Sequence, residues 1–191
     1  MKIYLIRHGE TDWNVIGKLQ GREDIPLNEN GKMQAKICAQ SLKNANCHAI
    51  ITSPLQRAKQ TAEIIANELS IETIYEEIGL VERDFGKASG LMPNERIVKF
   101  PDGKYDDMES WEDMRDRMML ALRKITEDFS GNDVIIVSHG SAINSVLAKI
   151  SNYEIGSGKT TLKNTCINLI EYDGEKFDII FFNKTADEMN C

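Results

Sequence analysis

Two rhythms of apolar and polar positions run along the chain. Short unbroken apolar runs, Ile3 to Ile6, "AIIT" at 49–52 and "VIIV" at 134–137, predict strands buried on both faces. "ETIYEEIGL" is read as a further extended segment, and "TCINLIEYD" with "KFDIIFFN" as a closing strand pair around an Asp-Gly turn. Between these runs the period changes to that of a helix. The segment from Asn30 to Lys43 is helical, as is Pro54 to Leu69, where Ala58, Ala62, Ile65, Ala66 and Leu69 share a face and Pro54 suits a first turn. Trp111, Met114, Met118, Ala121, Leu122 and Ile125 mark the core face of a third helix, and about Ser141 to Ile150 forms a fourth. Strands alternating with helices imply an α/β fold: a three-layer α/β/α sandwich around a mostly parallel sheet.

From Gly86 to about Ser110 both rhythms fade, and Gly, Pro, Asn and Asp dominate, with scattered bases. This stretch is expected to be a small cap inserted over a site. No internal repeat, low-complexity tract or linker interrupts the chain, so its 191 residues are expected to form a single domain, 1–191, carrying that cap at about 86–110.

Charge narrows the function. Thirty acidic residues against 23 basic ones leave a net charge of -7, which argues against a nucleic-acid or membrane-surface binder but leaves room for an anionic small molecule where bases cluster. The first apolar run is too short for a signal-peptide core, and no run approaches the roughly 20 residues of a membrane span, so a cytoplasmic protein is expected. Cys38, Cys47, Cys166 and Cys191 have neither Cys-x-x-Cys nor metal-ligand spacing, which points to reduced thiols and no metal site. Oligomeric state is not readable.

The candidate chemistry lies where two apolar runs end alike. "KIYLIRHGET" and "DVIIVSHGSA" both terminate in His-Gly, at His8 and His139. In sheets of this kind ligands bind beyond the carboxyl ends of the strands, so the two imidazoles are expected to meet there. Gly9 and Gly140 permit a sharp turn, and the helix after His139 offers N–H groups to an anion. "SPLQRAKQTA" places Arg57 one turn into its helix, and Arg7 precedes His8. Two imidazoles and two guanidiniums converging on one doubly charged group suit phosphoryl transfer to histidine. Neighbouring arginines keep an attacking imidazole neutral and match the equatorial phosphoryl oxygens. The leaving oxygen then needs a proton, and a carboxyl group beside a phosphate dianion can hold one; Glu82 in "GLVERDFG" is the candidate.

"LIRHGETDWN" resembles the signature of the histidine phosphatase superfamily, the phosphoglycerate mutase-like family. The likeness continues through "LQGREDIPLNENG", "SPLQRAKQTA", "LVERDFG" and "VSHG", five ordered matches that cover most of the chain. The resemblance implies His8 as the phosphorylated nucleophile, Arg7, Arg57 and His139 as the phosphate pocket, and Glu82 as the proton donor. It further implies Asn14 at the phosphate, Gln20 and Gly21 near the substrate, and no metal or other cofactor. The implied activity is hydrolysis of small phosphorylated metabolites through phosphohistidine. A phosphoglycerate mutase is the alternative, disfavoured because "LQGREDIPL" resembles phosphatases and the longer insertion usual in mutases is missing. A phosphate-ligand sensor without turnover is the remaining rival.

Other motifs have ordinary explanations. His48 has no Gly or Arg companion and is read as structural. "GSGKTT" at 156–161 imitates a P-loop, yet Tyr153 stands where glycine is needed and the strand-loop-helix order is reversed, so it is read as a loop, at the pocket rim if anywhere. By spacing alone Glu82 would be a surface acid.

Overall fold

The structure, a computed structural model, describes residues 1–189; Cys191 lies outside the described residues. In chain order the elements are β1 (Lys2–Arg7), α1 (Asp12–Val15), α2 (Glu29–Ser41), β2 (Cys47–Thr52), α3 (Gln56–Leu69), β3 (Ile74–Glu76), α4 (Pro93–Lys99), α5 (Trp111–Asp128), β4 (Asp133–Ser138), α6 (Gly140–Ile150), β5 (Ile167–Tyr172), β6 (Phe177–Lys184) and α7 (Ala186–Met189). The six strands form one sheet in the order β3-β2-β4-β1-β5-β6. Four strands run parallel, and β5 and β6 close the sheet in antiparallel fashion. Their hairpin turns at Asp173-Gly174, as the sequence predicts.

The apolar runs of β1, β2 and β4 lie at the middle of the sheet because they have no polar face to offer water. One core cluster joins Ile3, Leu5, Ile51, Val134 and Ile136 to Met118, Leu122, Ile143 and Val146, and so places α5 and α6 on one side. The other joins Ile6, Ile50, Ile135 and Val137 to Cys38, Ala58, Ala62 and Ile65, with α2 and α3. Alternate residues of each strand thus serve opposite clusters, which gives the expected three layers. Local chemistry fixes the helix starts. Asn28 accepts from the Gly31 amide at 2.8 Å, and Ser110 accepts from the Asp113 amide at 2.9 Å.

Three expectations are corrected. Pro54 stands outside α3, which begins at Gln56. Trp111 is half-exposed instead of buried with Met114 and Met118: it opens α5 and lies under the Arg83 guanidinium, 4.0 Å from its ring. The "ETIYEEIGL" segment is extended only over Ile74–Glu76 and then turns as a 3₁₀ helix, Ile78–Leu80. Gly79 there presses on α5, where an added Cβ would come within 2.7 Å of the Ala121 methyl.

Residues 86–110 contain one 3₁₀ turn, Gly86–Ala88, and α4. The segment is tied to the loop after α1 by Leu19 N–H to Leu91 O at 3.1 Å and Gly90 N–H to Leu19 O at 2.8 Å. Cys38 and Cys166 are buried, Cys47 is partly so, and all three are free thiols. Burial pushes the Cys38 and Cys47 thiols up to about 12. Among the described residues, no helix is long and apolar enough to cross a membrane.

Candidate active site

Strand register brings the chemistry together. β1 and β4 pair in parallel so that Arg7 lies opposite Ser138, and the next residue of each strand is a histidine. The His8 amide donates to Ser138 O at 3.0 Å, and the two imidazole centroids are 5.2 Å apart. β2 ends at the same level, and the Ser53 amide donates to Val137 O at 3.0 Å. Three strands therefore deliver their following residues to one edge, as expected for a mostly parallel sheet. The turn after His8 is tight. A Cβ on Gly9 would lie 2.5 Å from Gly31 O, and one on Gly31 would collide with Glu10 O. Only glycine at both positions lets the signature loop lie against the start of α2.

A cavity of about 370 Å³ opens at this edge, lined among others by Arg7, His8, Asn14, Gln20, Gly21, Arg57 and Glu82. All the site residues expected from the sequence border it except His139, which is fully buried beside His8 and followed in the cavity wall by Gly140 and Ser141. Thr160 and Thr161 also line the cavity, so the end of "GSGKTT" lies at its rim. His48 is exposed on β2, away from the cavity wall.

The polar contacts define what each group can do. His8 Nδ1 lies 2.7 Å from Gly9 O. A carbonyl only accepts, so the proton sits on Nδ1 and Nε2 is the unprotonated, accepting nitrogen. Arg57 Nε donates to that Nε2 at 3.3 Å. Arg57 is fixed in turn by its two terminal nitrogens, which donate at 2.7 Å to Glu23 O and Gly21 O. The "LQGRED" segment thus aims the arginine through its backbone. Thr61 Oγ1 accepts from the Gly9 amide at 3.0 Å and donates to Arg57 O at 2.7 Å, linking the two motifs. His139 Nε2 is 2.8 Å from the Ser53 hydroxyl. His139 Nδ1 and Arg7 Nε are buried without a hydrogen-bond partner. Asn14 Oδ1 accepts from the Thr11 amide, and the Thr11 hydroxyl lies 3.0 Å from Gln20 Oε1, so these two side chains brace the rim.

Glu82 departs from expectation in one respect. The first N–H groups of α6 are not left open for an anion: the Ser141 and Ala142 amides donate to the Glu82 carboxylate at 3.1 and 3.0 Å, and the Arg83 amide adds a bond of 2.8 Å. The carboxylate caps the positive end of α6 while bordering the cavity. Sequence spacing offers no signal for this, nor for Ser53 and Thr61, because their partners lie on other elements.

Burial first, then the Arg57 and Arg7 charges, holds the His8 imidazole well below its ordinary value; His139 is lowered by burial, Arg57, His8, Arg7 and Arg117. Both are neutral bases at pH 7. The unfolded chain takes up protons at these positions below about pH 6.5 while the folded chain does not, so stability falls as pH drops through that window. Two such groups give a slope approaching about 2.7 kcal/mol per pH unit. Urea denaturation at pH 7.5, 6.0 and 5.5 measures it. Replacing His139 by glutamine should halve the slope, and a wild-type stability flat across this range would contradict neutral burial.

Comparison with known proteins agrees with the geometry. The sequence profile of the histidine phosphatase superfamily (branch 1) matches residues 3–185. The chain is 42% identical over 181 residues to the uncharacterized phosphatase PhoE of Bacillus subtilis (strain 168), covering 95% of this chain and 93% of that protein. It is 31% identical over 183 residues to the probable phosphoglycerate mutase GpmB of Cronobacter sakazakii, covering 90% and 85%. Its fold superposes on the structure of Bacillus stearothermophilus YhfR with a TM-score of 0.88 at 29% identity, over 94% of this chain and 95% of that one. With a profile match spanning nearly the whole chain and a relative 42% identical over almost all of both chains, this protein belongs to the histidine phosphatase superfamily, branch 1.

Proposed function

We propose that the protein is a phosphomonoesterase that hydrolyses small phosphorylated metabolites through a phosphohistidine at His8, with no metal. The observation that carries this reading is the His8 ring itself: Nδ1 donates to Gly9 O, unprotonated Nε2 accepts from Arg57 Nε, and the residue lines the cavity. In the first step Nε2 attacks phosphorus in line. The P–O ester bond breaks, and Glu82 supplies the proton that the departing oxygen takes. Arg7, Arg57 and His139 hold the equatorial oxygens, the last through its unpartnered Nδ1. In the second step water attacks the phosphorus, the P–Nε2 bond breaks with its electron pair returning to the imidazole, Glu82 takes a proton from that water, and inorganic phosphate leaves. Asn14, Gln20 and Gly21 support the rim where substrate enters. The cavity volume suits a small metabolite. Residues 1–191 act as one domain, with about 86–110 as a cap whose Arg96 faces the cavity. A cytoplasmic site of action fits the three free thiols.

The similarity to GpmB favours one second reading, transfer of the phosphoryl group back to a sugar acid in place of water. Incubation with 3-phosphoglycerate separates the two. Hydrolysis releases inorganic phosphate at a rate that EDTA leaves unchanged, whereas dominant conversion to 2-phosphoglycerate would establish the mutase. Absence of turnover across a phosphomonoester panel would instead leave a phosphate-binding sensor.

A further inference from the structure

The segment that carries Glu82 belongs to no strand or α-helix, yet its backbone is held by side chains at every carbonyl from Gly79 to Glu82. Leu80 O accepts from the Ser138 hydroxyl at 2.8 Å. The other three carbonyls all accept from Arg117 on α5: Nη1 donates to Gly79 O at 2.9 Å and Val81 O at 2.7 Å, and Nη2 donates at 3.0 Å to Glu82 O, which also accepts from Arg22 Nε at 3.3 Å. The remaining two N–H groups of the guanidinium go to Glu109, Nε to Oε1 at 2.6 Å and Nη2 to Oε2 at 2.9 Å. All five donors of Arg117 are thus committed, three to the backbone around the acid and two to a carboxylate that fixes the fork. Glu109 is itself anchored. Its Oε2 accepts from the Asp84 amide at 3.2 Å, its own amide donates to Asp84 O at 2.9 Å, and Arg22 Nη2 lies 3.2 Å from its Oε1. Gly79 is the residue that lets the segment approach α5 closely enough for this fork to reach.

We propose that Arg117, aligned by Glu109, is a positioning residue for the proton-donating step: it sets where the Glu82 carboxyl stands relative to the leaving oxygen without touching substrate. The proposal rests on the reading of Glu82 as proton donor. A lysine carries the same charge but cannot supply a planar fork to three carbonyls and a carboxylate, so Arg117→Lys isolates geometry from charge. A displaced acid matters little when the leaving group needs no proton and greatly when it is an alkoxide.

The test is kcat/KM against leaving-group pKa, over a series running from p-nitrophenyl phosphate to simple alkyl phosphates. It is measured for wild type, Arg117→Lys, Glu109→Gln, Glu82→Gln and the double variant Arg117→Lys/Glu82→Gln. For Arg117→Lys we expect a loss of about 10²-fold on alkyl phosphates and less than about 5-fold on p-nitrophenyl phosphate, with inorganic phosphate inhibiting as in wild type. The double variant should be no steeper than Glu82→Gln alone. A uniform loss across the series, or a further steepening in the double variant, overturns the proposal. If Arg117→Lys fails to fold, Glu109→Gln takes its place in the series, and the same selective or uniform loss supports or overturns the proposal. A Glu82→Gln variant with wild-type slope would instead refute the assignment of Glu82, an outcome distinct from either.

Discussion

Replacing His8 by alanine is expected to lower kcat/KM by about 10⁵-fold or more and to eliminate an acid-labile phosphoenzyme that rapid quenching with a labelled substrate should detect in wild type. No neighbouring group can take over. The second imidazole, His139, lies 5.2 Å away by centroid, and its Nε2 is engaged with Ser53. Arg7 and Arg57, which hold the phosphoryl oxygens in the mechanism proposed above, offer no lone pair. Their persistence in the variant predicts that inorganic phosphate still binds, which doubles as evidence of an intact pocket. A variant that retains a phosphoenzyme would place the nucleophile elsewhere and end the mechanism proposed above.

Glu82→Gln should produce the second largest effect, and a selective one. On alkyl phosphates, whose leaving oxygen must be protonated, kcat/KM is expected to fall by about 10² to 10⁴. On p-nitrophenyl phosphate it should fall by less than about 10-fold, because that phenolate departs without help. Glutamine keeps the shape but only one acceptor oxygen, which can serve the Ala142 and Arg83 amides at the Oε1 position while the Ser141 amide at Oε2 loses its acceptor, so the α6 cap is kept in part. An equal loss on both substrates would show that the side chain matters as a cap and not as an acid.

The parts of this site that were legible in the sequence are those written into single segments. An apolar run that ends in His-Gly states its own position at the sheet edge. Two such runs in a parallel sheet end at one edge, and because β1 and β4 are neighbours His8 and His139 meet there. Arg57 was legible because its helix starts directly after a strand. What stayed hidden depends on partners from elsewhere in the chain. The Arg117 fork recognises backbone carbonyls, which every residue possesses, so no residue type advertises it. Glu82 capping α6 joins two segments that spacing cannot relate. Trp111 misled because a residue that opens a helix can follow the core period and still face outward, here against Arg83. β3 stopped short of its apolar pattern because the chain turns at Gly79 to meet α5.

The bond from the His8 ring to the Gly9 carbonyl bears on regiochemistry. An imidazole can in principle carry a phosphoryl group on either nitrogen, giving two isomeric phosphoramidates. Here one nitrogen, Nδ1, holds its proton against the Gly9 carbonyl before any ligand arrives. On the mechanism proposed above, the backbone therefore directs the phosphoryl group to Nε2, a choice made during folding and not by the compound that enters.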